Sequence, residues 1–199
     1  MPITAPAFLE YSDAEHRYFA DGKEMPSVTT ILDAAGLISS FCKDEEARYR
    51  GSKVHEFTAT DDVAPLDLRK VPVDLRGYLK AWRAYRLVSG FMPALIEHRV
   101  DSIQYGYSGR FDRLGIRNGQ PLLTLLDIKT SKTGAIAQYV RFQLAAYALA
   151  HDPHKVFDRM AVSLKPDGTY NCHCYTAGSY LADRAEWLQI LGKVKQEGK

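Results

Sequence analysis

Residues 108–130 read SGRFDRLGIRNGQPLLTLLDIKT, and this stretch decides the fold. Two short apolar segments, residues 108–116 and 122–128, flank the dipeptide Asn118-Gly119, which is typical of tight hairpin turns. The segments are short, rich in Leu and Ile, and bounded by turn residues, as strands are. The stretch therefore predicts two antiparallel strands joined by a hairpin.

The sequence on either side of this hairpin continues the pattern with further strands and helices. Leu- and Ile-rich segments predict strands, and apolar residues at helical spacing predict helices. Upstream of the hairpin, the predicted elements are a small hairpin at 18–24, helices near 28–35, 43–60 and 74–88, and a strand at 95–103. Downstream, they are a helix over about 135–150, a hairpin of 159–165 and 169–175, and a helix over about 179–194.

This order of elements predicts an α/β fold in which helices flank a central mixed β-sheet. A small N-terminal hairpin and a C-terminal hairpin plus helix complete it. Ser27 is expected to cap the first helix and Gly36 to end it. No repeat or linker-like segment divides the chain, so a single domain over residues 1–199 with one shared core is expected.

The overall charge is close to balanced, with 26 Lys and Arg against 24 Asp and Glu. A net charge of +2 does not by itself indicate a nucleic-acid partner. A local basic segment is present, because Arg76, Lys80 and Arg83 recur at helical spacing opposite an apolar side. The hydrophobic fraction of 46% and the charged fraction of 25% exclude wholesale disorder.

The cysteines and the lengths of the apolar segments indicate the cellular compartment of the protein. Cys42, Cys172 and Cys174 are odd in number and do not form a disulfide framework, which favours a reducing compartment. No apolar run is long enough for a membrane helix, and no secretory signal begins the chain. The expected location is the cytoplasm, with no membrane partner.

Two acids and a lysine lie on the predicted hairpin strands. Asp127 and Lys129 are two residues apart, so on a strand their side chains point to the same face. The hairpin brings Asp112 beside Asp127, where two carboxylates repel unless a cation lies between them. Such oxygen ligands suit Mg²⁺ or Mn²⁺. We therefore predict a divalent cation on Asp112, Asp127 and the Ile128 carbonyl, with Lys129 orienting or deprotonating a water for phosphodiester hydrolysis.

The set Asp112, Asp127-Ile128-Lys129 resembles the core of the PD-(D/E)XK nuclease superfamily. The resemblance implies a restriction-endonuclease-like core and metal-dependent cleavage of nucleic acid.

Flanking motifs narrow the resemblance to the RecB-like, phage-type exonuclease branch. Residues 51–56, GSKVHE, are similar to the histidine motif of that branch, and residues 143–147, QLAAY, are similar to its Gln-x-x-x-Tyr motif. Residues 26–32, PSVTTIL, resemble a segment common in phage-type members. Together the matches span roughly residues 16–175.

The resemblance implies a role for each matching side chain. His55 is implied as a metal ligand, and Glu97 as a catalytic acid that binds a second cation or a water on it. Gln143 is implied to hold the Lys129 strand end, and Tyr147 to support the site or the nucleic acid. Ordinary core packing remains the alternative for His55, Gln143 and Tyr147, and a solvent-facing strand position for Glu97.

Ten residues are expected to contact phosphates, because they are basic, hydroxylated or close to a helix start near the predicted site. They are Ser27, Thr29, Lys53, Arg76, Lys80, Arg83, Arg110, Thr130, Ser131 and Lys132. A simple helix cap for Ser27 and a solvated face for the basic stripe remain open.

The sequence thus predicts a Mg²⁺- or Mn²⁺-dependent deoxyribonuclease, with an exonuclease favoured. Its expected substrate is single- or double-stranded DNA with a free end, in recombination, repair or phage DNA processing. A recombination or helicase protein is an expected partner, in a bacterial or phage-infected cell. Some relatives bind an iron–sulfur cluster through four cysteines, and with three here no cluster is expected. A site-specific endonuclease and a catalytically inactive nucleic-acid-binding module remain alternatives.

Overall fold

The computed structural model describes residues 9–12, 17–20, 22–38 and 45–197. Cys42, residue 43 at the predicted start of the second helix and residue 16 at the start of the family resemblance lie outside these ranges.

A small antiparallel sheet of three strands, in the order β1-β2-β3, lies at the N-terminus. Its strands are β1 (Leu9–Ser12), β2 (Arg17–Ala20) and β3 (Lys23–Met25). The predicted N-terminal hairpin is confirmed by β2 and β3, while its turn residue Asp21 lies outside the described residues. The sequence patterns did not predict β1.

The main sheet has five strands in the order β4-β5-β6-β7-β8. They are β4 (Met92–Ser102), β5 (Tyr107–Ile116), β6 (Thr124–Thr130), β7 (Asp158–Leu164) and β8 (Tyr170–Tyr175). All neighbours are antiparallel except β6 and β7, which are parallel. The predicted mixed sheet, its three consecutive strands and the C-terminal hairpin are confirmed.

Five α-helices accompany the two sheets in the described ranges. They are α1 (Val28–Ala34), α2 (Glu45–Val63), α3 (Arg76–Ser89), α4 (Val140–His151) and α5 (Tyr180–Glu197). Short 3₁₀ turns at Leu68–Lys70, Val73–Leu75 and Ala177–Ser179 connect them. Within the described ranges, no helix combines the length and apolar character that crossing a membrane requires.

The first helix has the predicted ends. Ser27 adopts an extended conformation and its hydroxyl oxygen accepts the Thr30 N–H at 3.0 Å, as an N-cap does. At the other end, Gly36 has a left-handed φ of +69°, and Leu37 donates its N–H to the Leu32 carbonyl.

Helix α4 begins later than its pattern predicts, at Val140 rather than near residue 135. The Gly134 carbonyl, which would accept the first hydrogen bond of a helix from residue 135, accepts the Asn171 side-chain amide at 3.1 Å, and the Ala135 N–H donates to the Thr133 hydroxyl at 3.3 Å. Gly134 also has a left-handed φ of +78°. The segment before Val140 is therefore a loop that leads away from the end of β6.

The buried apolar residues form two clusters, one on each face of the main sheet, rather than the single core that the sequence predicts. Helices α1, α4 and α5 cover one face, where they pack on residues such as Leu125 and Ala161. Helices α2 and α3 cover the other face through Val54, Trp82 and their neighbours, against Ile128 and Val162. The split follows from the pleat, because consecutive side chains of a strand point to opposite faces.

The backbone pairing between β5 and β6 stops before Asp112 and Asp127, which leaves a gap between the two strands. These strands pair from Gly115 and Thr124 as far as Arg113 and Leu126, and the same register places Asp112 opposite Asp127. Beyond that pair, the Asp112 carboxylate accepts the Ile128 N–H and takes the place of a backbone partner. The predicted meeting of Asp112 and Asp127 across the hairpin is thus present in the fold.

Candidate metal centre

Three side chains from different elements converge at the open end of this gap. His55 lies on α2, Glu97 on β4 and Asp112 on β5, and one ligand atom from each lies within 4.8 Å of the others. His55 Nδ1 is 3.4 Å from Asp112 Oδ1 and 3.5 Å from Glu97 Oε1. Neighbouring ligands of a six-coordinate Mg²⁺ are roughly 3 Å apart, given metal–oxygen distances of about 2.1 Å. The separations therefore suit one shared cation.

The three ligands open onto a cavity of about 530 Å³. Its wall is completed by Gly51, Ser52, Glu56 and Arg110. The cavity is lined by acidic, basic and small side chains, which leaves room for a polar substrate group beside the cluster.

Glu97 has an unusual backbone for a strand residue. Its φ is 48°, which no other non-glycine residue of the described ranges matches with a positive value. Such a conformation costs on the order of 1–3 kcal/mol and persists only where the surroundings enforce it. On either side of it, Ile96 and His98 keep their partners on β5. The strand is thus distorted at the one residue that supplies a candidate ligand.

Asp112 and His55 are electrostatically coupled. Burial by itself raises the pKa of Asp112, but the His55 imidazole, then Lys129, outweigh burial and lower it to about 2. Burial by itself lowers the pKa of His55, but the Asp112 and Glu97 carboxylates raise it to about 10. Without a metal, the imidazole is therefore the cation that these two carboxylates share.

The buried Asp127 and the partly exposed Lys129 form an ion pair on the neighbouring strand β6. Lys129 Nζ lies 2.9 Å from Asp127 Oδ2 and donates to Oδ1 at 3.1 Å, which confirms that the two side chains share a face. Burial, together with the Asp112 charge, raises the pKa of Asp127 to about 6 against the opposing effect of Lys129. Asp127 Oδ2 is buried and its charged neighbour is the Lys129 ammonium, so the carboxylate is already paired with a cation in the absence of a metal.

Asp127 nevertheless lies outside the three-ligand cluster of His55, Glu97 and Asp112. The predicted pairing of Asp112 with Asp127 as joint ligands therefore remains a prediction, as does the Ile128 carbonyl. Glu97, which the family resemblance implies for a second cation or a water on it, is a member of the cluster with His55 and Asp112.

A short relay of polar side chains holds Lys129 from the helix side. Lys129 Nζ donates to Gln143 Oε1 at 3.2 Å, and Gln143 Nε2 donates to the Tyr147 hydroxyl at 3.1 Å. The Tyr147 ring lies against Gly109 so closely that a Cβ there would come within 2.5 Å of it. The supporting roles that the family resemblance implies for Gln143 and Tyr147 remain predictions.

Replacing Tyr147 by Phe tests this relay. We expect a loss of about 1 kcal/mol in the free energy of unfolding, because the buried Gln143 amide loses its acceptor. We also expect a smaller fall in cleavage rate than removal of Lys129 causes. Denaturant unfolding and single-turnover cleavage measure the two effects. An unchanged unfolding free energy would show that the Gln143–Tyr147 bond contributes nothing.

Three further residues surround the centre and were not predicted: Arg113, Thr58 and Asp62. Arg113 donates to Glu97 Oε1 at 2.9 Å and to Thr58 Oγ1 at 3.1 Å, and pairs with Asp62. The sequence held one signal of this arrangement, since His55, Thr58 and Asp62 recur at i, i+3 and i+7 and so share one helical face.

The predicted phosphate contacts nearest the centre have different surroundings. Arg110 is exposed, lines the cavity and lies 3.4 Å from Glu97 Oε2. Lys53 pairs with Glu56, a cavity residue, at 2.7 Å. The Thr130 hydroxyl approaches Gly51 where α2 meets the end of β6. Arg110 thus lines the cavity, while Lys53 and Thr130 each lie beside one of its lining residues.

The remaining predicted contacts lie on other parts of the chain. Ser27 caps α1 and Thr29 lies in that helix, beside the start of β5. Ser131 and Lys132 follow Thr130 in the loop, where the Ser131 hydroxyl is already an acceptor for backbone N–H groups. Their contact with a substrate stays a prediction.

The predicted basic stripe on α3 is largely engaged within the protein. Arg83 pairs with the buried Asp61 and donates to the Leu66 carbonyl, and Arg76 donates to the Val71 carbonyl. Lys80 is exposed, beside the turn between β7 and β8. These three residues do not line the cavity at His55. Their predicted role in binding DNA remains a prediction.

Comparisons with known proteins add a fold likeness only. No known family profile and no curated protein sequence matches the chain. The crystal structure of an alkaline exonuclease, LHK-Exo, from Laribacter hongkongensis resembles it with a TM-score of 0.45 and 13% identity, over 87% of this chain and 89% of that one. LHK-Exo in complex with dAMP gives a TM-score of 0.42 and 14% identity over the same shares. The likeness concerns the fold and not the function.

Proposed function

We propose that this protein is a metal-dependent nuclease that hydrolyses phosphodiester bonds in DNA. The observation that carries the proposal is the convergence of His55, Glu97 and Asp112 beside the Asp127–Lys129 ion pair. A set of carboxylates with a lysine on the neighbouring strand combines a cation site with a charge suited to a phosphoryl oxygen.

The donor set suits a divalent cation of the Mg²⁺ or Mn²⁺ type. Glu97 and Asp112 would supply carboxylate oxygens and His55 a ring nitrogen, and Asp127 is proposed to add an oxygen of the carboxylate that it also presents to Lys129. The Ile128 carbonyl is a further proposed ligand. When bound, such a cation polarises a phosphoryl oxygen and lowers the pKa of a water.

The chain's own side chains would divide the remaining work. The Asp127 carboxylate and other nearby charges overcome burial and raise the pKa of Lys129, so this side chain is positively charged at neutral pH. We therefore assign it to orienting the attacking water and to neutralising charge on the phosphoryl group, rather than to removing a proton. Gln143 fixes the direction of its ammonium group. Arg110 and Lys53 would hold flanking phosphates.

The preference for an exonuclease on DNA with a free end rests on the motif resemblance at residues 51–56 and 143–147. A role in recombination, repair or phage DNA processing and a recombination or helicase partner have the same basis and stay predictions. The site-specific endonuclease remains an alternative, although no long insertion for base reading interrupts the strands of the site. The inactive binding module is disfavoured by the complete Asp112, Asp127 and Lys129 set.

Cleavage of linear and closed circular DNA, with Mg²⁺, with Mn²⁺ and with a chelator, tests the proposed function. Degradation that requires a metal and a DNA end supports the exonuclease. Metal-dependent cutting of closed circles supports the endonuclease instead. Absence of cleavage under every metal condition contradicts the nuclease proposal and leaves the binding module.

The imidazole predicts a difference between the two metals. We expect the protein to bind Mn²⁺ more tightly than Mg²⁺, because a ring nitrogen suits a transition ion better than the oxygen-preferring Mg²⁺. His55→Gln should weaken Mn²⁺ binding by about tenfold or more, which is about 1.4 kcal/mol, and weaken Mg²⁺ binding less. Calorimetric titration of both metals measures the difference.

His98→Gln is the matched control. His98 is a histidine on β4, but it is exposed and lies outside the cluster. Its affinity for both metals should equal that of the wild type. Equal losses for Mn²⁺ and Mg²⁺ in His55→Gln would mean that the imidazole is not a ligand.

A further inference from the structure

Arg113 is a fully buried cation directly behind the candidate metal centre. Its side chain is 0% exposed, and it follows Asp112 on β5. Regular alternation would send these consecutive side chains to opposite faces, yet Asp112 contacts His55 and Arg113 contacts Thr58, both on α2. The strand therefore departs from regular geometry where it presents these two residues to the helix.

One nitrogen of Arg113 connects two of the candidate ligands. Its NH1 group donates to Glu97 Oε1 at 2.9 Å and to the Asp112 backbone carbonyl at 2.6 Å. A terminal guanidinium nitrogen has two N–H groups in one plane, so both acceptors are held at a set angle. The spacing between the Glu97 carboxylate and the Asp112 main chain thus follows from the shape of this one group.

The other N–H groups of the Arg113 guanidinium donate to side chains of α2, the helix that carries His55. Nε donates to Asp62 Oδ2 at 2.5 Å, and NH2 donates to Thr58 Oγ1 at 3.1 Å. All three elements that supply a ligand are therefore joined through one rigid guanidinium.

Asp62 is itself fixed from a second helix. Its Oδ1 accepts the Trp82 indole N–H at 2.9 Å and lies 2.8 Å from Arg86 NH1, both on α3. The Arg113 guanidinium also lies over the Trp82 ring, 5.7 Å from its centroid. The position of Arg113 is consequently determined by α3 as well as by α2.

We propose that Arg113 is a positioning residue that holds Glu97, Asp112 and α2 in metal-binding geometry before a cation arrives. The inference rests on the proposed function. It accounts for the strained backbone of Glu97, because a left-handed glutamate persists only when its surroundings enforce it. It also explains why an arginine is needed, since a lysine has no planar fork with which to join several acceptors.

The test is the Mn²⁺ affinity of Arg113→Lys, measured by calorimetry at a temperature where thermal unfolding shows the protein folded. The variant keeps the positive charge and loses the fork. We expect the dissociation constant to rise by about 10- to 100-fold, the usual effect of removing a partner that orients a ligand.

Arg159→Lys is the matched control. Arg159 is also 0% exposed, pairs with Asp183 at 2.9 Å and donates to the Ser179 hydroxyl, but none of these partners belongs to the metal centre. We expect this variant to lose stability in a similar way while its Mn²⁺ affinity stays within about twofold of the wild type. A weaker Mn²⁺ affinity that appears in Arg113→Lys and not in Arg159→Lys therefore cannot be the effect of lower protein stability alone.

Thr58→Val decides the matter if Arg113→Lys does not fold. It keeps the side-chain shape and removes the hydroxyl that accepts from NH2 and donates to the His55 backbone carbonyl within α2. We expect a several-fold weaker Mn²⁺ affinity in a folded protein. Wild-type affinity in the folded Arg113→Lys variant, or in Thr58→Val where the first does not fold, overturns the inference and leaves the proposed function intact. A wild-type protein that binds no Mn²⁺ overturns both.

Discussion

Asp112→Asn should abolish metal-dependent cleavage while leaving the fold intact. The amide oxygen can still accept the Ile128 N–H, so the bond that fills the gap between β5 and β6 survives. The negative charge that faces His55 is lost, and with it the strongest candidate ligand of the cluster. Because a bound cation supplies several kcal/mol of transition-state stabilisation, we expect the rate to fall by on the order of 10³-fold.

Single-turnover cleavage, Mn²⁺ calorimetry and thermal unfolding together test this expectation. Asp158→Asn is the matched control, because Asp158 is another buried strand acid that accepts a backbone N–H, from Ala177, yet lies outside the cluster. The control should lose stability and keep its Mn²⁺ affinity. Unchanged Mn²⁺ affinity in folded Asp112→Asn would remove Asp112 from the ligand set.

Lys129→Ala should separate chemistry from binding. The ammonium group is anchored by Asp127 and Gln143 and points along the face where the phosphodiester is proposed to react. An interaction made mainly in the transition state lowers the rate when it is removed and leaves ground-state binding almost unchanged. We expect turnover to fall by about 10²-fold or more, with DNA and metal affinity within a few fold of the wild type.

Lys155→Ala serves as the control for a lost lysine charge, because Lys155 is exposed and pairs with Asp152 away from the cavity. It should cleave at the wild-type rate. Normal cleavage by Lys129→Ala would contradict the catalytic role, and so would a loss of cleavage that is explained entirely by weaker DNA binding.

The local sequence patterns predicted most elements, because strands and helices are encoded over short distances. The apolar side of α3, with Leu79, Trp82 and Tyr85, is buried as its spacing indicates. The α/β class and the mixed sheet are confirmed by the order of the strands. The predicted start of α4 was wrong because the Gly134 carbonyl is bonded to the Asn171 side chain, a contact that apolar spacing does not reveal.

The candidate site was predictable only in part. Asp127 and Lys129 share a face because residues two apart on a strand point the same way, so their spacing in the sequence was enough to predict this contact. The left-handed backbone of Glu97 and the burial of Arg113 depend on contacts with α2, which is distant in sequence. An arginine in a strand ordinarily indicates a solvent-facing position, and in this protein the Asp62 and Glu97 carboxylates make its burial tolerable.

The meander of β4, β5 and β6 has a consequence for the order of folding. Glu97, Asp112 and Asp127 come from neighbouring segments, whereas His55 reaches them across a much longer stretch of chain. Short loops close with less entropy loss than long ones, so we expect the acidic side of the site to assemble early and α2 to dock late. A cation that binds only the docked form would then slow unfolding, so metal would govern the kinetic lifetime of the native state.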